Sequence, residues 1–92
     1  MQCIIEKSFA KSAKTLPKDV QLTILGFIET IEAADFVTSI SNIKKLKTNK
    51  KDGRECYRYK IGNYRLGFIL EENNLVRLVI ADHRKNIYNS FP

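Results

Sequence analysis

Residues 56–70 read CYRYKIGNYRLGFIL, and this stretch decides the fold. Apolar and aromatic side chains recur at every second position on both sides of a short break, which is the period of a β-strand. The break is Gly62–Asn63, a pair that is typical of a two-residue hairpin turn. The stretch therefore predicts two antiparallel strands whose register is set by the turn.

The predicted register divides this hairpin into two faces. It pairs Lys60 with Arg65 and Arg58 with Gly67, so these positions share one face. The opposite face is aromatic and aliphatic and is expected to lie in the core. Its members are Tyr57, Tyr59, Ile61, Tyr64, Leu66, Phe68 and Leu70.

The cationic face of the hairpin contains an unfavourable pair, because Lys60 and Arg65 lie directly opposite each other. One explanation is a bound anion such as a phosphate group. Another is neutralisation by Asp82, which a turn at Asn73–Asn74 places opposite Arg65, together with a second acid such as Glu55. A third is that the side chains extend into solvent.

We favour the anion, because the sequence brings further cations to the same edge of the sheet. A third predicted strand, at residues 75–81, is followed two residues later by Arg84 and Lys85. Gly67 is expected to leave the cationic face open to a ligand. The other positions predicted for that face are Val76, Leu78 and Ile80.

The segments before the hairpin predict a strand and two helices. Residues 2–6, QCIIE, are a short β-branched run typical of a strand. Ser8 suits the cap of a short helix, and Pro17 suits the first residue of a second helix. The second helix has one apolar stripe, formed by Val20, Ile24, Phe27, Ile28 and Ile31. The order predicts an α+β fold with an N-terminal strand, a two-helix hairpin, a three-stranded antiparallel meander and a short C-terminal helix.

Length and composition indicate a single domain over residues 1–92. A transmembrane helix needs an apolar run of about 18 residues, and the sequence contains no run of that length. The first residues also lack the basic segment with which a signal peptide starts. Two cysteines are too few for a disulfide framework, so reduced thiols and a cytoplasmic location are expected. Residues 44–92 hold twelve Lys or Arg against five Asp or Glu, a balance of +7, whereas residues 1–43 contribute −1 to the net charge of +6. Such an excess suits nucleic acid or an acidic protein, or serves solubility alone.

Five lysines fall within the irregular region at residues 33–53, where Ile40, Ile43 and Leu46 could pack a turn or a short helix. They are Lys44, Lys45, Lys47, Lys50 and Lys51. A run of like charges is typical of a solvated loop. In a nucleic-acid-binding protein, such a loop also makes phosphate contacts that do not depend on sequence.

Four short motifs resemble one protein family in their order and spacing. They are NIKKLK at residues 42–47, GNYRLGF at 62–68, HRKNIY at 83–88 and the terminal FP. With the predicted order of elements, they resemble the RelE/ParE superfamily of bacterial toxins from toxin–antitoxin operons over the full chain. The RelE branch is the more similar. RelE-like toxins are ribonucleases that enter the ribosomal A site and cut mRNA, whereas ParE-like toxins poison DNA gyrase.

The resemblance implies a set of site residues. The family's strand arginine falls on Arg65, its arginine after the last strand on Arg84, and its C-terminal tyrosine on Tyr88. The basic residues of the preceding strand fall on Arg58 and Lys60. The residues assigned to RNA binding without a catalytic role are Arg58, Lys85, Lys44, Lys45, Lys47, Lys50 and Lys51.

Cleavage of this kind uses the 2′-hydroxyl of the RNA as its nucleophile, so no metal or other cofactor is expected. Arg65 and Arg84 suit charge stabilisation at the phosphate. Lys60 donates a proton only if neighbouring charges lower its pKa. His83 resembles a histidine near the tail of some members and suits acid–base work, or has a structural role on the face opposite Arg65. Tyr88 donates a proton, stacks on a base or packs the tail.

Two other functions stay open. The first is a ParE-like toxin that binds gyrase and has no ribonuclease activity. The second is a basic nucleic-acid-binding module without enzymology, or a decayed toxin. The resemblance also implies a cognate antitoxin that covers the basic face or displaces the C-terminal tail, in a complex of which a heterotetramer is one form. The ribosome and mRNA are the other expected partners, and no membrane is expected.

Overall fold

The structure, a computed structural model, describes residues 1–46 and 54–91. Two helices follow the first described strand, four strands come next, and a short helix ends the described chain. None of the described helices is long and apolar enough to cross a membrane. In chain order they are β1 (Gln2–Ile5), α1 (Lys7–Ala13), α2 (Lys18–Ala33), a 3-10 turn (Val37–Ser39), β2 (Ile43–Lys45), β3 (Glu55–Ile61), β4 (Tyr64–Glu71), a 3-10 turn (Glu72–Asn74), β5 (Leu75–His83) and α3 (Arg84–Ser90).

The described strands form one five-stranded sheet in the order β1-β5-β4-β3-β2. β3 and β4 pair as the turn predicts, with Lys60 opposite Arg65 and Arg58 opposite Gly67. β5 pairs antiparallel with β4, and Asp82 lies opposite Arg65. β1 pairs in parallel with the start of β5. The predicted α+β fold is therefore confirmed, with one strand added to the meander.

The added strand, β2, is not predicted by the sequence. It has only three residues, two of them lysines, so it shows no alternation of apolar and polar positions. It pairs antiparallel with β3 at an edge of the sheet. Lys44 and Lys45 therefore belong to a strand and not to a solvated loop. The other lysines of the run, Lys47, Lys50 and Lys51, lie outside the described residues.

α1 and α2 pack on one face of the sheet, which we call the helical face, and enclose the main core. The apolar stripe of α2 is confirmed, although the helix begins at Lys18, one residue later than predicted. Phe27 stacks on Tyr59 with ring centroids 3.8 Å apart and also contacts Phe68. The buried members of the stripe are Val20, Ile24, Phe27 and Ile31, and Ile28 is partly buried against them.

β5 bulges at Val79, where its register with β4 shifts by one residue. The predicted positions of Val76 and Leu78 on the cationic face are therefore wrong, because both side chains are fully buried in the main core. Ile80, beyond the bulge, packs on the predicted face. The shift arises because Glu72–Asn74 form a 3-10 turn in place of the predicted two-residue turn. A one-residue change of register moves every side chain before the bulge to the other face.

α1 lies along the edge of β5 that extends beyond β1. The Ser8 hydroxyl donates a hydrogen bond of 2.6 Å to the carbonyl of Val79, and the Ala81 N–H donates one of 3.0 Å to the Ser12 hydroxyl. Ser8 thus lies inside α1 and binds the sheet, so its predicted role as a helix cap is wrong. These bonds satisfy backbone groups that an open strand edge leaves unpaired.

α3 packs on the opposite side of the sheet, which we call the tail face. Ile87 and Phe91 are buried there against Cys56. The prediction that Gly67 leaves this face open to a ligand is wrong. A methyl group at Gly67 would lie 2.5 Å from Cδ2 of the Phe91 ring. The space at Gly67 therefore holds the tail of the chain itself.

Candidate nucleic-acid interface

Two rows of cations cross the tail face between β2 and β4. Lys44 lies opposite Arg58 in the first row, and Lys60 lies opposite Arg65 in the second. Both are like-charge cross-strand pairs, which are unfavourable in the absence of a counter-charge. β2 therefore adds a second unfavourable pair to the one that the sequence predicts.

These rows line an open cavity of about 260 Å³ on the tail face, which we call the cationic pocket. It brings together five of the predicted site residues and adds two, Asn42 and Ile43, that lie just before or within β2. The lining residues are Asn42, Ile43, Lys44, Arg58, Lys60, Arg65 and Tyr88. In the described part of the chain, no group of three or more His, Cys, Asp or Glu side chains is suited to a metal ion.

Asp82, the first candidate counter-ion, is engaged in hydrogen bonds at the start of α3. Its Oδ1 atom accepts hydrogen bonds from the His83 N–H at 2.7 Å and from the Asn86 side-chain amide at 3.2 Å. It forms no ion pair with Arg65, although the two residues lie opposite each other. Neutralisation by Asp82 therefore does not explain the cationic rows.

Glu55, the second candidate, is engaged on the helical face. It pairs with the Lys45 ammonium at 3.3 Å and accepts a hydrogen bond of 2.7 Å from the Tyr57 hydroxyl. Within the described residues, 1–46 and 54–91, none of the cations that line the cationic pocket forms an ion pair. These contacts leave two of the explanations, a bound anion and side chains that extend into solvent, and the exposed Lys44 and Lys60 are compatible with both.

The turn between β3 and β4 positions two arginines. Nη1 of Arg65 donates hydrogen bonds to the carbonyl of Gly62 at 2.7 Å and to that of Tyr64 at 2.8 Å. The backbone N–H of Arg84 donates one of 2.8 Å to the carbonyl of Asn63. Gly62 has a φ of 55°, which glycine adopts without strain. Arg84 is exposed at the start of α3 and is not among the described residues that line the pocket.

Tyr88 projects from α3 over the cationic pocket. The Arg58 guanidinium carbon lies 4.5 Å from the centroid of its ring, a cation–π contact. The neighbouring Ile87 is fully buried, whereas Tyr88 is 59% exposed. The ring is therefore anchored by its helix and still accessible, as stacking on a nucleobase requires.

His83, a predicted catalytic candidate, lies apart from the pocket. Its ring meets that of Tyr64 edge-on at 5.5 Å, and the two residues pair across β4 and β5. Its Nδ1 atom accepts a hydrogen bond of 3.2 Å from the Lys85 N–H, which caps α3. These contacts support the structural role of His83 that the sequence left open, and its catalytic role stays a prediction. Lys85 itself is exposed on α3.

Asn42 is the pocket residue that the sequence reasoning missed. It has a φ of 64°, in the left-handed region that asparagine tolerates better than most residues. Its carbonyl accepts a hydrogen bond of 3.0 Å from the Lys60 N–H, which joins it to the second cationic row. The available signal was the Ser41–Asn42 pair, whose residue types are frequent in turns.

On the helical face, we expect Tyr57 to ionise unusually late. Burial, the hydrogen bond to Glu55 and the charge of that carboxylate raise the pKa of Tyr57 from 10.0 to about 12. The pKa of Tyr57 is higher in the folded state than in the unfolded state. The contribution of the protonated Tyr57 hydroxyl to the free energy of unfolding is therefore complete below the unfolded-state pKa and is lost as the pH rises through the folded-state pKa. This pKa is measured by a pH titration of tyrosinate absorbance in the protein and in its Tyr57→Phe variant. The difference between the two titrations belongs to Tyr57. A difference titration centred near pH 10 contradicts the expectation.

Comparisons with known proteins agree with the resemblance of the motifs. The Methanocaldococcus jannaschii protein named Toxin RelE3 is 31% identical to this chain over 94 residues, an alignment that covers all of both chains. The chain belongs to the RelE toxin family. No family model matches the chain.

Solved structures of RelE proteins share the fold. The RelE chain of a RelB–RelE antitoxin–toxin complex from Methanococcus jannaschii is 28% identical, with a TM-score of 0.77 over 97% of this chain and 99% of that chain. A RelE–RelB complex from Pyrococcus horikoshii gives 20% identity and a TM-score of 0.73 over 92% and 96%. A RelBE2 complex from Mycobacterium tuberculosis gives 16% identity and a TM-score of 0.65 over 90% and 96%. The last two likenesses concern the fold alone.

Proposed function

We propose that this RelE-family protein is the toxin of a type II toxin–antitoxin system and acts as a ribosome-dependent mRNA endonuclease. The observation that carries the proposal is the cationic pocket, whose two rows of opposed cations have no carboxylate partner among the described residues. A phosphate of the RNA backbone supplies the missing negative charge. The accessible ring of Tyr88 lies beside the cations of the pocket, and an exposed aromatic ring suits stacking on a base of single-stranded RNA.

The proposed reaction breaks the RNA chain by transesterification. The 2′-oxygen of one nucleotide attacks the adjacent phosphorus, its proton leaves, and the bond to the 5′-oxygen of the next nucleotide breaks as that oxygen takes up a proton. The products carry a 2′,3′-cyclic phosphate and a 5′-hydroxyl. No electron acceptor or metal enters this balance.

The pocket residues divide the work of this reaction. Arg65 is already oriented by the turn carbonyls, and with Arg58 it stabilises the charge that develops on the phosphate oxygens. Arg84 is not among the described pocket residues, but its backbone N–H at the start of α3 is bound to the Asn63 carbonyl of the same turn. Of the groups that line the pocket, the ammonium of Lys60 and the hydroxyl of Tyr88 are the proposed proton donors.

A cognate antitoxin is the proposed protein partner. The M. jannaschii relative of known structure was solved with RelB, which is described as its antitoxin. An acidic segment of such a partner complements the basic tail face and blocks RNA, either directly or by displacing α3. We propose a toxin–antitoxin complex, with a heterotetramer as one form, and a cytoplasmic location, because the ribosome is there.

The test is induced expression followed by primer extension on one mRNA in translated and untranslated forms. Cuts within codons of the translated message alone support the proposal. Intact mRNA with arrested growth contradicts it and favours a ParE-like binding toxin. Intact mRNA with normal growth contradicts it and favours a decayed toxin or a plain nucleic-acid-binding module.

A further inference from the structure

The cationic pocket extends beyond the single phosphate that the proposed reaction requires. Among the described residues, four cations line it in two rows, on three neighbouring strands. Lys44 and Arg65 lie at opposite corners, because they belong to β2 and β4 and to different rows. With strands about 4.8 Å apart and a rise of about 3.3 Å per residue, their backbone positions are about 12 Å apart. The two corners therefore suit two neighbouring anions.

Each row combines one anchored arginine with one exposed lysine. The Tyr88 ring lies against the Arg58 guanidinium at 4.5 Å, and two turn carbonyls bind that of Arg65. Both arginines are partly buried, whereas Lys44 and Lys60 are exposed. An arginine offers a planar fork of N–H donors and a lysine offers a flexible point charge, and both groups bind phosphate oxygens. The two rows are thus two potential anion sites of the same chemical type.

β2 treats its two lysines differently. Lys45 projects to the helical face, where Glu55 pairs with its ammonium at 3.3 Å. Lys44, its neighbour in the chain, lies on the tail face opposite a second cation, Arg58. The contact of Lys45 contributes to the sheet, whereas the position of Lys44 costs stability unless an anion lies between the two cations.

The spacing of the rows matches the repeat of an RNA backbone. One row follows the other by two residues along β3, a distance of about 7 Å. Consecutive phosphates of an extended single-stranded RNA are separated by a similar distance. Each row can therefore face one phosphate of the same strand.

We propose that Lys44, together with Arg58, binds the phosphate next to the scissile one, so that the cationic pocket holds two consecutive phosphates of the mRNA. The five N–H donors of Arg58 allow it to contact both phosphates. Lys44 is then the residue that distinguishes the second phosphate from the first. This inference rests on the proposed function and adds a second substrate subsite to the same pocket.

The test is cleavage of ribosome-bound mRNAs in which one phosphate is replaced by an uncharged methylphosphonate. Two mRNAs carry the replacement directly before or directly after the linkage that is cut, and a third has phosphates throughout. For the unmodified protein, we expect one of the two neutral linkages to lower kcat/KM by about fivefold, near the upper limit for an exposed charge pair. The loss is expected in KM and not in kcat, because the lost contact binds substrate and transition state equally.

The Lys44→Ala variant connects this loss to one side chain. It is expected to lower kcat/KM about fivefold on the mRNA with phosphates throughout, and to show no further loss at the same neutral linkage. Lys44→Arg keeps the charge and is expected to stay sensitive to that linkage. Lys11→Ala removes one charge from the exposed end of α1, outside the pocket, and is expected to behave like the unmodified protein.

The outcomes separate this inference from the proposed function. Cleavage that neither neutral linkage affects overturns the inference and leaves the proposed function standing. A loss that is equally large in Lys44→Ala also overturns it, since another group then binds that phosphate. Normal cleavage by Lys44→Ala overturns it too and favours a role of Lys44 in binding a protein partner. If the unmodified protein does not cut the mRNA with phosphates throughout, both the inference and the proposed function are overturned.

Discussion

Replacing Arg65 and Arg84 together by alanine abolishes growth arrest on induction and removes the cuts seen by primer extension. Each arginine is expected to stabilise charge on the scissile phosphate, and losing one such donor costs an enzyme about a hundredfold or more in rate. Arg65 is the more important of the two, because its guanidinium lies in the cationic pocket and is oriented by two turn carbonyls. Arg84 contributes from the start of α3, where the same turn binds its backbone.

A matched control removes the same charge from another surface. Lys11 and Lys14 are exposed at the end of α1, outside the pocket, so Lys11→Ala combined with Lys14→Ala lowers the net charge equally. This control is expected to stay toxic, and circular dichroism should show that both double variants fold. A folded Arg65→Ala, Arg84→Ala protein that still arrests growth contradicts the assignment of these residues.

Gly67→Ala destabilises the protein by about 1–3 kcal/mol, the usual cost of overpacking a core. The new methyl group would lie 2.5 Å from Cδ2 of Phe91, closer than any real contact, so the ring and the end of α3 must move. Urea denaturation measures the loss. In a Phe91→Ala background the space is empty, and the same glycine substitution is expected to cost less than about 0.5 kcal/mol.

A second glycine provides the control for this prediction. Gly26 lies in α2 and has no atom within 4 Å of the place where a methyl group would be added. Gly26→Ala is therefore expected to stabilise the protein by about 0.5–1 kcal/mol, because alanine is the better helix former. An equal cost for Gly67→Ala with and without Phe91 contradicts the packing described here.

Local patterns in the sequence predict much of the fold, and long-range effects account for the rest. The stripe of α2 and the turn at Gly62–Asn63 are short-range signals, so the helix and the β3–β4 register are predicted correctly. β2 is too short and too rich in lysine to show a strand period. The bulge at Val79 depends on the length of the preceding turn and on its contact with Ser8 in α1, which no local pattern reveals.

The candidate site follows the same division. The opposition of Lys60 and Arg65 is predictable from a single turn, because hairpin register depends only on turn length. Asn42 directly precedes β2 and lies in the pocket because β2 pairs with β3. A prediction that lacks β2 therefore does not place Asn42 in the site. Gly67 looks open in the sequence, because the ring that occupies its space belongs to a residue near the end of the chain, Phe91.

The tail of the chain also conceals a thiol. Cys56 is 8% exposed and packs with Ile87 and Phe91 under α3. A reagent that modifies cysteine is expected to reach it faster when α3 leaves the sheet, so the modification rate reports on this local opening. Replacing Cys3 by serine removes the more accessible thiol, so that labelling of the protein measures the modification of Cys56 alone. Adding a partner then distinguishes two modes of inhibition: faster labelling means that the partner displaces the tail, and slower labelling means that it clamps the tail in place.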